Sequence, residues 1–187
     1  MNIKERKSRF NERTKTISID EFYEYEEAEG QRFDDYLDEK VAPLVGMTAI
    51  VFNSLESALD FILSDMIDQD NDEIGWVVIK SMSFSQKTNL LIDLIRANDD
   101  WVVKFSKDEI SNLRESLKHA GSLRNSIIHG EWESMSKDYR VKTKINVGDD
   151  GVIFKMTEFL YEDLEGDVDF IDDRSVELWK SPKFKFK

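Results

Sequence analysis

Apolar positions along the 187-residue chain recur mainly in steps of three and four, the spacing of one face of an α-helix. The first such stretch opens at Ser18, with Glu21 three residues on as a capping box, and carries Phe22, Tyr25, Phe33 and Tyr36 or Leu37; Gly30 weakens it. From Pro43 the series Leu44, Met47, Val51, Leu55, Leu59, Ile62, Met66 predicts the longest helix, a core element with proline in its first turn. Residues 68–75, "DQDNDEIG", read as a loop, and "WVVIK" fits a short strand or a helix equally. A third helix begins at a Ser83 or Ser85 cap and presents Leu91, Leu94 and Ile95. A fourth opens at the Ser106/Glu109 box and runs through Ile110, Leu113, Leu117, Ala120 and Ile127 to Gly130, a C-terminal cap.

The period then changes. Tyr139 to Val147 and Val152 to Phe159 alternate about "GDDG" and predict a hairpin. Leu164, Val168, Ile171 and Leu178 mark a last helix, and "KFKFK" a frayed end or an edge strand. The expected fold is mainly α: a helical bundle of four to five helices with a small C-terminal β-hairpin, one domain over residues 1–187.

Composition narrows the class. With 40% apolar and 11% aromatic residues the chain can build a core. It has no cysteine, hence no disulfide and no thiolate metal site. The apolar run Val41 to Phe52 is about half of the ~20 residues that cross a bilayer, and the charged start "MNIKERKSRF" is unlike a secretory signal. No membrane contact and a cytoplasmic location are the expectation. The net charge of −13 opposes nonspecific binding to nucleic acid. That charge is uneven: Lys4, Arg6, Lys7, Arg9, Arg13 and Lys15 face only Glu5 and Glu12 in the first fifteen residues, which read as a basic, solvated, flexible arm. Calcium binding at residues 68–79 is excluded, because Glu73 stands where such a loop needs glycine and Ile79 where it needs glutamate. Asp172 and Asp173 read as a solvated acidic turn. No Gly-rich phosphate loop occurs, and no cofactor or metal is expected.

The distinctive stretch is "AGSLRNSIIHGEWE", residues 120–133. At 100° per residue Arg124 falls in the middle of the apolar face of the fourth helix, and His129 roughly 140° further round, on the side of Asn125. An arginine cannot shed its charge, so it meets a buried acceptor or opens toward an anion. For the two groups to converge, either the chain unwinds near Gly130 and swings His129, or a twofold mate supplies the partner; the second is the favoured expectation. The bland reading of His129 is a cation at a helix C-terminus. His119, five residues after Arg114 in "RESLKH", repeats the spacing without the polar residue or the glycine and is expected to be structural.

"LRNSIIHG" resembles the signature of HEPN domains (higher eukaryotes and prokaryotes nucleotide-binding): an arginine, a polar residue, and a histidine after four to six intervening positions. Arg124, Asn125 and His129 map onto those positions, and the resemblance extends loosely over residues 43–135. It implies a small helical bundle, metal-independent cleavage of an RNA substrate at a homodimer interface, an inhibitory or activating protein partner, and a toxin or phage-defence setting. The sequence departs from partner-adenylylated members, which resemble one another in a tyrosine two residues after the histidine, where Glu131 stands here. A noncatalytic nucleotide-binding or dimerisation module, or an acidic protein engaging a basic partner, are the competing expectations.

Overall fold

Serine three positions ahead of a glutamate or glutamine opens three helices in the computed structural model, which describes residues 3–28, 37–68, 72–97, 104–134, 139–148 and 151–184. Ser18 N donates to Glu21 Oε2 at 2.7 Å and Glu21 N to Ser18 Oγ at 3.2 Å. These bonds, the one from the Ser18 backbone first, hold the Glu21 carboxyl below its ordinary value. The same reciprocal box joins Ser83 to Gln86 and Ser106 to Glu109, satisfying N–H groups that a helix start leaves orphaned. Ser83, rather than Ser85, is therefore the cap.

The described residues form helices α1 (Ile3–Glu12), α2 (Ile19–Ala28), α3 (Ala42–Ile67, preceded by a π turn at Leu37–Val41), α4 (Asp72–Ile79), α5 (Phe84–Ala97), α6 (Lys107–Ile128) and α7 (Tyr161–Lys180). Four strands, β1 (Thr14–Ser18), β2 (Glu131–Ser134), β3 (Tyr139–Gly148) and β4 (Gly151–Leu160), form one antiparallel sheet in the order β1-β4-β3-β2. The fold is mainly α with a small β element. The expected hairpin is β3–β4, closed at the pair Gly148 and Gly151.

Several expectations change. The basic arm is no solvated tail: residues 3–12 are helical and 14–18 form an edge strand on β4. Arg6 donates to the Gly166 carbonyl at 3.0 Å, and Arg13 pairs with Asp167 at 3.1 Å and Asp163 at 3.4 Å. Residues 72–75 begin α4 instead of continuing a loop, and "WVVIK" is helical up to Ile79. Asp172 and Asp173 are exposed on α7, not in a turn. Pro182–Phe184 is a 3-10 turn whose Phe184 is buried, and the rest of "KFKFK", residues 185–187, lies outside the described residues. The stretch of the first predicted helix at residues 29–36, Gly30 and Phe33 included, lies outside the described residues.

Length needs a further correction. Glu39–Ile67 is long and apolar enough, by length and composition, to cross a membrane, with mean hydropathy 1.3 over its most apolar window. Its Leu55, Leu59, Ile62 and Leu63 are nonetheless almost fully buried, and Glu56 and Asp60, one turn apart, grip Lys87 of α5 at 2.9 and 2.7 Å. Desolvation pulls the Lys87 ammonium down, but the hydrogen bonds to Asp60 and Glu56 outweigh it and raise it; burial raises the Asp60 carboxyl.

Two compact units divide the chain, Met1–Ala49 with Leu123–Val168, and Ile50–Ser122 with Asp169–Lys187. In the first, Phe22 of α2 stacks on Phe154 of β4 at 4.4 Å, joined by Met156 and Ile17. In the second, Leu55, Leu59, Ile79, Leu91, Ile95 and Leu117 are buried to 0–1% exposure. Gly75 of α4 approaches α3 closely there: a Cβ at that position would lie 2.5 Å from Ser64 Cα and O.

Candidate active site

The Arg124 motif lies at the C-terminus of α6, within the first unit. Leu123 and Ile127 are fully buried and anchor that last stretch of helix, while Arg124 between them is half-buried and Asn125 and His129 are exposed. Arg124 Nη1 donates to Asn125 Oδ1 at 3.0 Å and lies 2.6 Å from His129 Nε2. A guanidinium has no acceptor, so Nε2 accepts and the ring proton sits on Nδ1.

Convergence within one chain overturns the expectation that a twofold mate brings the pair together. The physical reason is where the helix stops. Ile128 is its last residue, and His129 retains the backbone bond to the Asn125 carbonyl at 3.2 Å but lies beyond the regular turn. The 140° separation of an ideal helix therefore no longer applies to it. Asn125, expected to orient the imidazole or a phosphate, touches the guanidinium beside that imidazole through its Oδ1.

Trp132 was not singled out by sequence reasoning, and it shapes the site. Its indole Nε1–H donates to the Ile127 carbonyl at 2.8 Å, satisfying one of the carbonyls that a helix end leaves open. The ring packs on buried Phe159 of β4, with centroids 5.3 Å apart. The turn from His129 to Glu131 is thus pinned at both ends, by α6 and by the start of β2. The available signal was a tryptophan two residues after a capping glycine, whose one donor needs an acceptor when partly buried.

His119 belongs to the second unit, is 4% exposed and packs on Phe170 with centroids 5.4 Å apart. Arg114, its would-be partner, donates to Asn89 Oδ1 at 3.4 Å. The repeated spacing therefore leads to a core position. A cavity of about 230 Å³ in the second unit is lined by Phe105, Asn112, Ser116, Leu117, Arg174 and Phe184 among others, none of them a candidate site residue in the sequence. At its rim Glu109 is held down at about 2, chiefly by Lys183. Among the described residues no three His, Asp or Glu side chains cluster as a metal site would require.

Set against family models, curated proteins and solved structures, the chain matches none.

Proposed function

We propose that the chain is an endoribonuclease working without a metal through Arg124, Asn125 and His129. The single observation that carries this reading is the 2.6 Å contact between the Arg124 guanidinium and the His129 imidazole at a solvent-accessible helix end. An RNA phosphate is the competitor such a pair is suited to meet. It accepts two parallel bonds from the guanidinium and draws it off Nε2. The freed Nε2 takes the proton of the ribose 2′-hydroxyl while the 2′-oxygen attacks phosphorus. Arg124 faces the charge that builds on the phosphorane, and the imidazolium then returns a proton to the departing 5′-oxygen. The products are a 2′,3′-cyclic phosphate and a 5′-hydroxyl. Asn125 keeps the guanidinium turned toward the imidazole.

The resemblance to HEPN domains adds the rest of the reading: a cytoplasmic enzyme of toxin or phage-defence type, a homodimer, with an inhibitory or activating protein partner. Since one chain forms the Arg–His pair, dimerisation would serve to set two such sites side by side. The net charge of −13 favours a second reading, an acidic module that engages a basic partner and cuts nothing.

One comparison separates them. Wild type, His129→Ala and Arg124→Ala, matched by circular dichroism, are incubated with single-stranded and structured RNA in chelator. Cleavage should fall about 10²-fold or more for either variant, given typical acid–base and electrostatic contributions, and the wild-type product should end in a cyclic phosphate. Equal inertness of all three, with and without added divalent metal, would leave the binding module.

A further inference from the structure

The cavity of about 230 Å³ in the second unit has a chemistry of its own. Two helices wall it. Glu109, Asn112, Leu113, Ser116 and Leu117 follow one another at steps of three and four along α6, and Arg174, Glu177 and Leu178 do the same on α7. Each helix thus turns one face toward the space. Phe105 and Phe184, with ring centroids 5.3 Å apart, add an aromatic wall. Leu117, Leu178 and Phe184 are buried and make the floor apolar, while Glu109, Asn112 and Glu177 are exposed and mark the mouth.

The charges around the cavity are already paired. Glu109 holds Lys183 and accepts from the Ser106 backbone, and Glu177 holds Arg174 Nη1 at 2.6 Å. The Arg174 guanidinium also lies 5.1 Å from the centre of the Phe170 ring. Its Nε is buried, with no hydrogen-bond partner among the described residues, and so is not offered to anything in the cavity. A charged guest would give up its hydration here and find each counter-charge engaged. The cavity therefore favours an uncharged one.

Two neutral polar groups do remain. Thr48, Thr88 and Ser122 each return a hydrogen bond to the carbonyl four residues back on their helices, at 2.8, 2.9 and 3.0 Å. Ser116 makes no such bond: it is 7% exposed, lines the cavity, and has no hydrogen-bond partner for its hydroxyl among the described residues. Asn112, one turn earlier on the same face, has none for its amide either. A carboxamide offers a donor and an acceptor side by side, and a hydroxyl can take either part, so the pair suits a guest whose edge carries both. A cavity of about 150 Å³ is known to hold benzene, which leaves room here for a substituted ring or two fused ones.

We propose that this cavity is a binding site for a small uncharged aromatic molecule, of one or two rings, bearing a donor and acceptor edge such as a carboxamide. Its ring lies on Leu117, Leu178 and Phe184, and its edge meets Ser116 and Asn112. The proposal does not rest on the ribonuclease reading, since every lining residue belongs to the second unit and Arg124 and His129 to the first.

The test is an NMR titration of the full chain with benzamide, followed through the backbone amide shifts. Benzoate and benzamidine, of the same shape but charged, are titrated beside it. Benzamide should bind saturably with a Kd of about 1 mM or tighter, within the reach of so small a ligand. Both charged isosteres should bind at least about tenfold more weakly. Ser116→Ala and Asn112→Ala should each weaken benzamide about fivefold, the typical worth of one hydrogen bond. Asn112 is exposed, so its variant keeps the test open if Ser116→Ala fails to fold. Ser111→Ala, exposed on α6 and outside the lining, should bind as wild type does. Absence of saturable benzamide binding overturns the site. Binding that neither lining variant weakens places the guest elsewhere and overturns it too, and equal affinity for benzoate or benzamidine overturns the uncharged class.

Discussion

A guanidinium and a carboxylate illustrate what single residues decide in this protein. Arg13 lies between Asp163 and Asp167, with its guanidinium 5.1 Å from the centre of the Phe159 ring. Burial pushes the Asp167 carboxyl above its ordinary value, against the opposing attraction of Arg13. A raised folded value means that the contribution of this carboxyl to stability is complete below the ordinary value of 3.8 and is lost as pH rises through the raised one. Replacing Arg13 by methionine removes the offsetting cation. The variant should lose on the order of 3 kcal/mol at neutral pH, a deficit that narrows on acidification as Asp167 becomes neutral; urea melts across the acid range would show it. A deficit independent of pH would mean that packing on Phe159, not charge, is what Arg13 supplies. None of this was legible beforehand, since the sequence separation of 154 residues hides the pair.

At the scale of elements, the local signals carried far. Two capping boxes read as serine followed three residues later by glutamate start α2 and α6, and the Ser83 or Ser85 cap of α5 proves to be a third such box, Ser83 with Gln86, because both halves of that bond network lie within one turn. Helix α4 shows the opposite situation. Its acidic start looks like a loop, and its place against α3 depends on Gly75, whose missing Cβ leaves room for the Ser64 backbone. Gly75→Ala should cost about 1–3 kcal/mol through that collision. Gly46→Ala, at an exposed position of α3 with nothing within 4 Å of the new methyl, should instead add about 0.5–1 kcal/mol from helix propensity. Thermal melts of the two variants should move in opposite directions; a shared direction would contradict this account of α4 packing.

Across the whole molecule the dominant fact is charge. Self-repulsion at −13 weakens the folded state, so moderate sodium chloride, by screening it, should raise the thermal midpoint. A midpoint that falls with salt would mean that favourable pairs such as Arg13 with Asp167 and Lys87 with Asp60 outweigh the net repulsion. Which charges offset one another depends on neighbours far apart in the chain, such as Arg13 with Asp167, and composition alone gives no hint of them.

The sequence by itself determined what short-range physics controls: the helical periods, their caps, the β3–β4 hairpin, and the Arg124, Asn125 and His129 triplet as the place to look. Only the tertiary structure decided that residues 3–18 join the sheet and that Trp132 closes the end of α6. It also decided that His129 meets Arg124 within one chain. Each of these is a contact between side chains or strands whose geometry comes from where elements end and which ones pair. Those outcomes are set by burial and hydrogen bonding over long sequence separations, which a local pattern does not contain.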